Sequence, residues 1–431
     1  MVKVLLHGNL DLDHSRVPRR TQDVGNAKGR VGYFDFIKRG GLREVLDAVK
    51  VPLHVSTTGM DLLVLKRLDP KLLENLNPNV IFTKGPFSHI MPSAYPGLRG
   101  VALSFGDRAV RECLGNRVSP IGFVSEYDFW SGLVHDAVKA RWEATLVNEE
   151  QQRPFLRHEL DDGRSVEDIV RVMGDDGQYS MPTFIARSNE KDKYNLSGIA
   201  HEVFSGLKRP EEFVEELRKA VELAGQRGFQ TVTFLTDLEV ILLSQLFNAD
   251  GTTLTDARLD TWIGFQEALA NSGLEIEGIR KSEDLGKYVG RDLRRVILPP
   301  RDLNPKWTDP RQDEFKQRVR SLVDRTLESG DSYKIGALLI AVGPYAESAI
   351  FGVLRPPAKG KKGRILDGRE GELRILPDMN RYLEQAHILH SLEQGHFTVS
   401  EFISGLPKPV QEYLTLVHDI LREEVVPLIE K

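Results

Sequence analysis

The sequence predicts an α/β fold in which parallel strands are wrapped by helices, followed by a purely helical C-terminal part. Three observations predict it. Apolar strand-like runs alternate with runs of helical spacing from the first residues to about residue 300, the pattern that yields a parallel sheet because each strand must return through a crossover. Polar residues follow several of the apolar runs directly. Beyond about Pro310 the period changes to long helical segments alone.

VKVLLHG reads as a buried first strand, residues 42–49 as a helix, VPLHVST as a second strand, residues 60–75 as a helix, and PNVIFTK as a third strand before a Pro-rich loop. RGVALSF then reads as a strand, residues 107–114 as a helix, and SPIGFVSE as the next strand. Residues 150–197 are polar and rich in Gly, Asp and Asn, and read as a loop-rich insertion. Residues 210–227 form an amphipathic helix ending in a Gly turn, and FQTVTFLTDLE follows as a strand that closes on two acids. Residues 257–272 read as a helix, and GLEIEGIRKSEDLGKYV as one more strand and a helix start. Helices are expected over 313–329, 333–352, 378–394 and 410–429, interrupted by a charged Gly/Pro-rich loop at 354–374 that carries the basic run KGKKGR.

A chain of 431 residues exceeds what one core usually holds. The expected division is 1–305 for the strand-and-helix domain and 306–431 for a helical domain. With 40% hydrophobic and 28% charged residues the composition is that of a globular protein. The net charge is −5 and the 58 basic residues are dispersed, which argues against nucleic acid as a partner. The lone cysteine, Cys113, rules out an intrachain disulfide and fits a reducing compartment. No run approaches the roughly 20 apolar residues of a membrane span, and MVKVLLHGNLDLD reads as a strand instead of a leader. A cytoplasmic protein is expected, with self-association left open.

In a barrel of parallel strands the working groups sit at the C-terminal strand ends. The candidates are His7 and Asn9 after VKVLL, His89 in GPFSHIMP, Glu126 in GFVSEYDFW, and Asp237 with Glu239 in TVTFLTDLEV. Glu126 is trailed by Tyr127, Asp128 and Trp130, a carboxylate among aromatics of the kind that stack on sugar rings; a solvated acid is the plain alternative. Asp237 ends an apolar strand, and a helix N-cap is its alternative. Trp262, in TWIGFQEAL, reads as core and Trp130 as the stacking platform. His387, His390 and His396 lack an acid of metal-site spacing, so His387 or His390 reaching over the barrel mouth is preferred to a metal. The GDDG turn at 174–177 lacks the ligand series of a calcium loop.

PLHVSTTGMDLLVLKRLDPKLLENL, NPNVIFTKGPFSHIMP, FGDRAVRECLGNRVSPIGFVSEYDF and TVTFLTDLEV together resemble, in order, the motifs of glycoside hydrolase family 57. The resemblance spans residues 1–300, with a looser echo in the C-terminal helices. It implies a distorted (β/α)7 barrel followed by an α-helical C-terminal domain that contributes to the active-site rim. It also implies a retaining α-glycosidase or transglycosidase acting on an α-linked oligosaccharide or polysaccharide without metal or cofactor, with Glu126 as nucleophile and Asp237 as general acid/base. His7 takes the first position of the family's opening His-x-His-Gln-Pro, and Asn9 stands where the second His is usual. His7, Asn9, His89, Tyr127, Asp128, Trp130, Glu239 and His387 are the substrate contacts it suggests. Two alternatives remain: a metal-dependent polysaccharide deacetylase, for which Asp11 and Asp13 supply an early acid pair, and a non-catalytic relative that binds a glycan or a protein.

Overall fold

The computed structural model describes residues 1–10, 12, 37–89, 96–124, 129–149, 167–190, 192–238, 256–290 and 292–298, with isolated positions between 324 and 423. Seven parallel strands close on themselves: β1 (Lys3–Asn9), β2 (Leu53–Ser56), β3 (Val80–Lys84), β4 (Val118–Gly122), β5 (Ala144–Asn148), β7 (Ser180–Ala186) and β8 (Thr231–Asp237), while β6 (Ile169–Met173) lies antiparallel beside β7. Closure comes from β1 pairing with β8 along its whole length and from a single register pair, Thr233 with Ala186, between β8 and β7. The chain is therefore a (β/α)7 barrel: the alternation predicts its parallel strands wrapped by helices, and the family resemblance implies the seven-stranded closure.

The helices on its outside are α1 (Gly41–Asp47), α2 (Gly59–Leu68), α3 (Pro70–Glu74), α4 (Arg99–Leu114), α5 (Val134–Lys139), α6 (Leu196–Phe204), α7 (Pro210–Gln226) and α8 (Asp256–Ala270). Strand alternation sorts the core. Val4, Leu6, Val232 and Phe234 face the helices and pack with Phe213, Leu217, Trp262 and Phe265. Leu5, Ile121, Phe123, Leu146 and Phe184 fill the interior, because successive side chains of a strand point to opposite faces. Trp262 is core, 3% exposed, and its indole N–H donates to Val45 O at 2.8 Å.

Four expectations are corrected. The run RGVALSF is not a strand but the first half of α4, whose buried residues Ala102, Leu103, Phe105, Gly106, Ala109, Val110 and Leu114 keep helical spacing over the whole element. Residues 60–75 form two helices, broken where Asp69 precedes Pro70, since the residue before proline is pushed out of helical geometry. The span 150–197 is more than an insertion. It holds the barrel strand β7 and its antiparallel neighbour β6, joined by the GDDG turn. Asp176 explains that turn: its Oδ1 accepts from Gln178 N at 2.9 Å, as an Asx turn does. The fourth is GLEIEG, which contributes an isolated bridge, Ile276 to Val4, and no strand. It runs along the N-terminal edge of the barrel and leads into α9 (Ser282–Val289), and Ile279, Leu285 and Tyr288 floor the interior.

β7 also explains the barrel's distortion. One of its edges serves β5 over Thr183–Ala186; the other serves β6 over Ser180–Phe184 and β8 only at Ala186. The seam with β8 is completed by other bonds. Arg187 N donates to Thr233 O at 2.9 Å, Ser188 Oγ to Leu235 O at 2.9 Å, and Asp168 Oδ2 accepts from Gln230 N at 2.8 Å and Thr231 N at 2.9 Å.

Of the C-terminal part, Asp324, Leu327, Glu328, Ile335, Leu339 and Glu423 are helical, each inside a helix the sequence predicts. Leu339 is fully buried in the core cluster of β1–β3, and Gly343 O accepts from Ser88 Oγ at 2.8 Å. This segment therefore packs on the loop after β3.

Candidate active site at the barrel mouth

The C-terminal ends of β1, β2 and β8 meet in register. Asn9 is the Cα partner of both Ser56 and Asp237, and His7, one alternation earlier, is the partner of His54 and Leu235. Because Leu5 lies in the interior cluster, alternation carries His7 and Asn9 to the same interior face. Both are 3% exposed. His7 lies against Phe123 with ring centroids 5.0 Å apart and stacks on His54 at 6.1 Å. Its Nε2 bonds Ser56 Oγ, which bonds Thr83 Oγ1 at 2.8 Å. Burial, with His54 beside it, holds His7 well below the usual imidazole range, so it is neutral. Burial also lowers His54, to about 4.

The loops above are built by tight backbone contacts. Thr58 caps α2, its Oγ1 accepting from Asp61 N at 3.0 Å, which accounts for the STTG turn. The first amides of α2, Gly59 N and Met60 N, donate to Pro86 O at 2.9 Å and Phe87 O at 3.0 Å, binding the β2 loop to the β3 loop. His89 belongs to that β3 loop and is 1% exposed.

The structure brings together His7, Asn9 and the backbone of Asp237. Glu126, Tyr127, Asp128, Glu239 and His387 lie outside the described residues. The stretch holding Glu126 leaves from Val124 and returns at Phe129, both fully buried. Trp130 is a correction. It is not an exposed platform but part of the outer layer with Leu133 and Val134, 4% exposed, with the Arg99 guanidinium 5.2 Å over its ring. Reciprocal bonds between Ser131 and Leu298, at 2.9 and 3.0 Å, hold the neighbouring backbone there.

Sequence reasoning missed His54, Ser56 and Thr83. A signal was present: in LHVS the polar residues alternate with Leu53 and Val55, so they share one strand face. No group of three or more His, Cys, Asp or Glu side chains arranged for a metal occurs among the described residues. Among them, too, no helix is long and apolar enough to cross a membrane.

Fold and mouth together define a (β/α)7-barrel protein with polar strand ends at one opening. No family model matches the chain, and no curated protein matches it in sequence. Solved structures do match in fold. An α-amylase from Thermotoga maritima aligns with TM-score 0.54 at 11% identity, over 97% of this chain and 96% of that one. A glycoside hydrolase family 57-type branching enzyme from Pyrococcus horikoshii aligns with TM-score 0.51 at 11% identity, over 99% and 96%. A 4-α-glucanotransferase from Thermococcus litoralis aligns with TM-score 0.46 at 12% identity, and this chain spans 56% of its length. The chain shares the fold of these enzymes, among them branching enzymes described as family 57.

Proposed function

We propose that this protein is a retaining glycoside hydrolase or transglycosidase acting on α-linked glucan or oligosaccharide. Glu126 attacks the anomeric carbon and forms a glycosyl–enzyme ester while Asp237 protonates the departing oxygen. Asp237 then takes a proton from water or an acceptor hydroxyl, which displaces Glu126 with net retention. The observation that carries the reading is the register at the mouth, where Asp237 ends its strand beside Asn9, two residues beyond a neutral, buried His7. The fold shared with enzymes named for acting on glucans supports the substrate class. Tyr127, Asp128, Glu239 and His387 are assigned to sugar contacts, and residues 306–431 to a helical domain on the rim.

The test is an assay of wild type, Glu126→Gln and Asp237→Asn on activated α-glycosides and on maltooligosaccharides. Asp237→Asn should lower turnover by about 10²- to 10⁴-fold on natural leaving groups and less on activated ones, as loss of an acid does. Glu126→Gln should abolish turnover on both. Near-wild-type turnover by either variant would remove the assignment.

A further inference from the structure

At the N-terminal end of the barrel, residues 275–279 are gripped first by backbone and then by side chains. Val4 N donates to Glu275 O at 2.8 Å and Glu277 N donates to Val4 O at 2.9 Å, so the segment begins along β1. It then enters the interior. Ile279 is 1% exposed, its N–H donates to His54 Nε2 at 3.0 Å, and its C=O accepts from Ser119 Oγ at 2.7 Å. His54 and Ser119 are themselves buried, on β2 and β4.

Both partners of His54 are backbone groups of fixed polarity. An amide N–H only donates and a carbonyl only accepts, so Nε2 is bare and Nδ1 carries the proton, which it donates to Leu6 O at 3.2 Å. The neutral ring therefore uses both nitrogens. A second proton can go only to Nε2, where it would face the Ile279 N–H and leave two buried donors without an acceptor. The surrounding groups do not favour that charge. On β1, His7 stacks at 6.1 Å and is itself held neutral; β3 places Ile81 beside His54 in register. From the segment come Arg280, whose charge opposes another one nearby, and Glu277, which is taken by Lys3 at 2.8 Å and by Tyr288 Oη at 2.6 Å. Burial is the main reason His54 is lowered to about 4, against the opposing bond to Leu6 O.

We propose that His54 is an acid-released latch on the floor of the barrel: the neutral ring, with Ser119, holds Ile279 in the N-terminal opening, and protonation of Nε2 sets donor against donor and frees the segment. The latch involves no ligand and stands apart from the glycan reading above. Released, His54 titrates near its ordinary value of about 6.5; latched, it titrates near 4. The latch is therefore fully set above about pH 6.5 and weakens as pH falls toward 4, because the released form binds the extra proton.

The experiment is amide hydrogen exchange read residue by residue between pH 7 and 5, each rate being divided by that of an unstructured amide at the same pH. Protection of Ile279 should fall about 20-fold over that interval, as one proton taken up between pKa values of about 6.5 and 4 requires. The fall should come ahead of the amides of β1 and β8. Glu277, held low by Lys3, stays ionised throughout and contributes no slope. His54→Gln offers an oxygen to the Ile279 N–H and takes up no proton, so protection in that variant should stay level with pH. Ser119→Ala should lower Ile279 protection about 5- to 10-fold at every pH, the size of one hydrogen bond, and keep the wild-type slope. Level protection in the wild type overturns the proposal, as does a fall shared equally by β1 and β8, or an equal fall in His54→Gln. If His54→Gln does not fold, the wild-type slope and its persistence in Ser119→Ala decide alone.

Discussion

Glu190 receives two hydrogen bonds from Arg227, at 2.7 and 2.6 Å, and an ion pair from Lys193 at 3.0 Å. The Arg227 bonds are the main reason its carboxyl is lowered to about 2. A depressed carboxylate stabilises the fold above its unfolded pKa of about 4.3, and that contribution disappears as pH falls toward 2. Glu190→Gln should therefore cost about 1–2 kcal/mol at pH 7, discounted for partial exposure. Urea midpoints of the two proteins should converge as pH falls from about 5 to about 2. His54 acts in the same direction in a higher pH window: its folded pKa of about 4 also lies below the unfolded value, so the fold forgoes a proton and stability declines as pH falls from about 6.5 toward 4. Neither effect was legible in the sequence, where nothing links residue 190 to 227 or residue 54 to 279. His7 and Asn9 were legible because they end an apolar run. Trp130 misled because its closeness to Glu126 in sequence says nothing about which layer receives it.

Among the elements, α2 and α4 approach through glycine. A Cβ on Gly59 would lie 2.9 Å from Gly106 Cα, and one on Gly106 would collide with the Gly85 carbonyl. Since backbone cannot yield as a side-chain tip does, Gly106→Ala should destabilise by about 1–3 kcal/mol or more and shift the urea midpoint without changing its slope. The same packing shows why α4 was half misread. RGVALSF carries a β-branched and an aromatic residue, but what it buries recurs at helical spacing, and the element packs on α2. Most elements were readable from period and punctuation alone: Pro at the start of α7, the Gly turn after it, and the apolar run of β8. The strand β7 was hidden by Pro182 and by the polar turn before it. Its identity depends on pairing with β5, information that a window of neighbouring residues does not contain.

Over the whole molecule, the barrel is strong at β1–β8 and thin at β8–β7. Asp168 offsets the thinness by gathering the Gln230 and Thr231 amides and the Thr231 hydroxyl on one carboxylate oxygen. Asp168→Ala should leave those donors unmatched and cost about 2–3 kcal/mol. Hydrogen exchange should accelerate first at residues 230–231, ahead of the β1–β2 amides; uniform acceleration would argue against a local seam. The pairing of residues 3–9 with residues 231–237 has a consequence for synthesis. During translation β1 waits with one backbone edge open until nearly the whole barrel has left the ribosome, and an open apolar edge invites pairing with the wrong chain. Birth of the fold is thus governed by its last strand, and a nascent chain stalled before residue 231 is the form in greatest need of a chaperone.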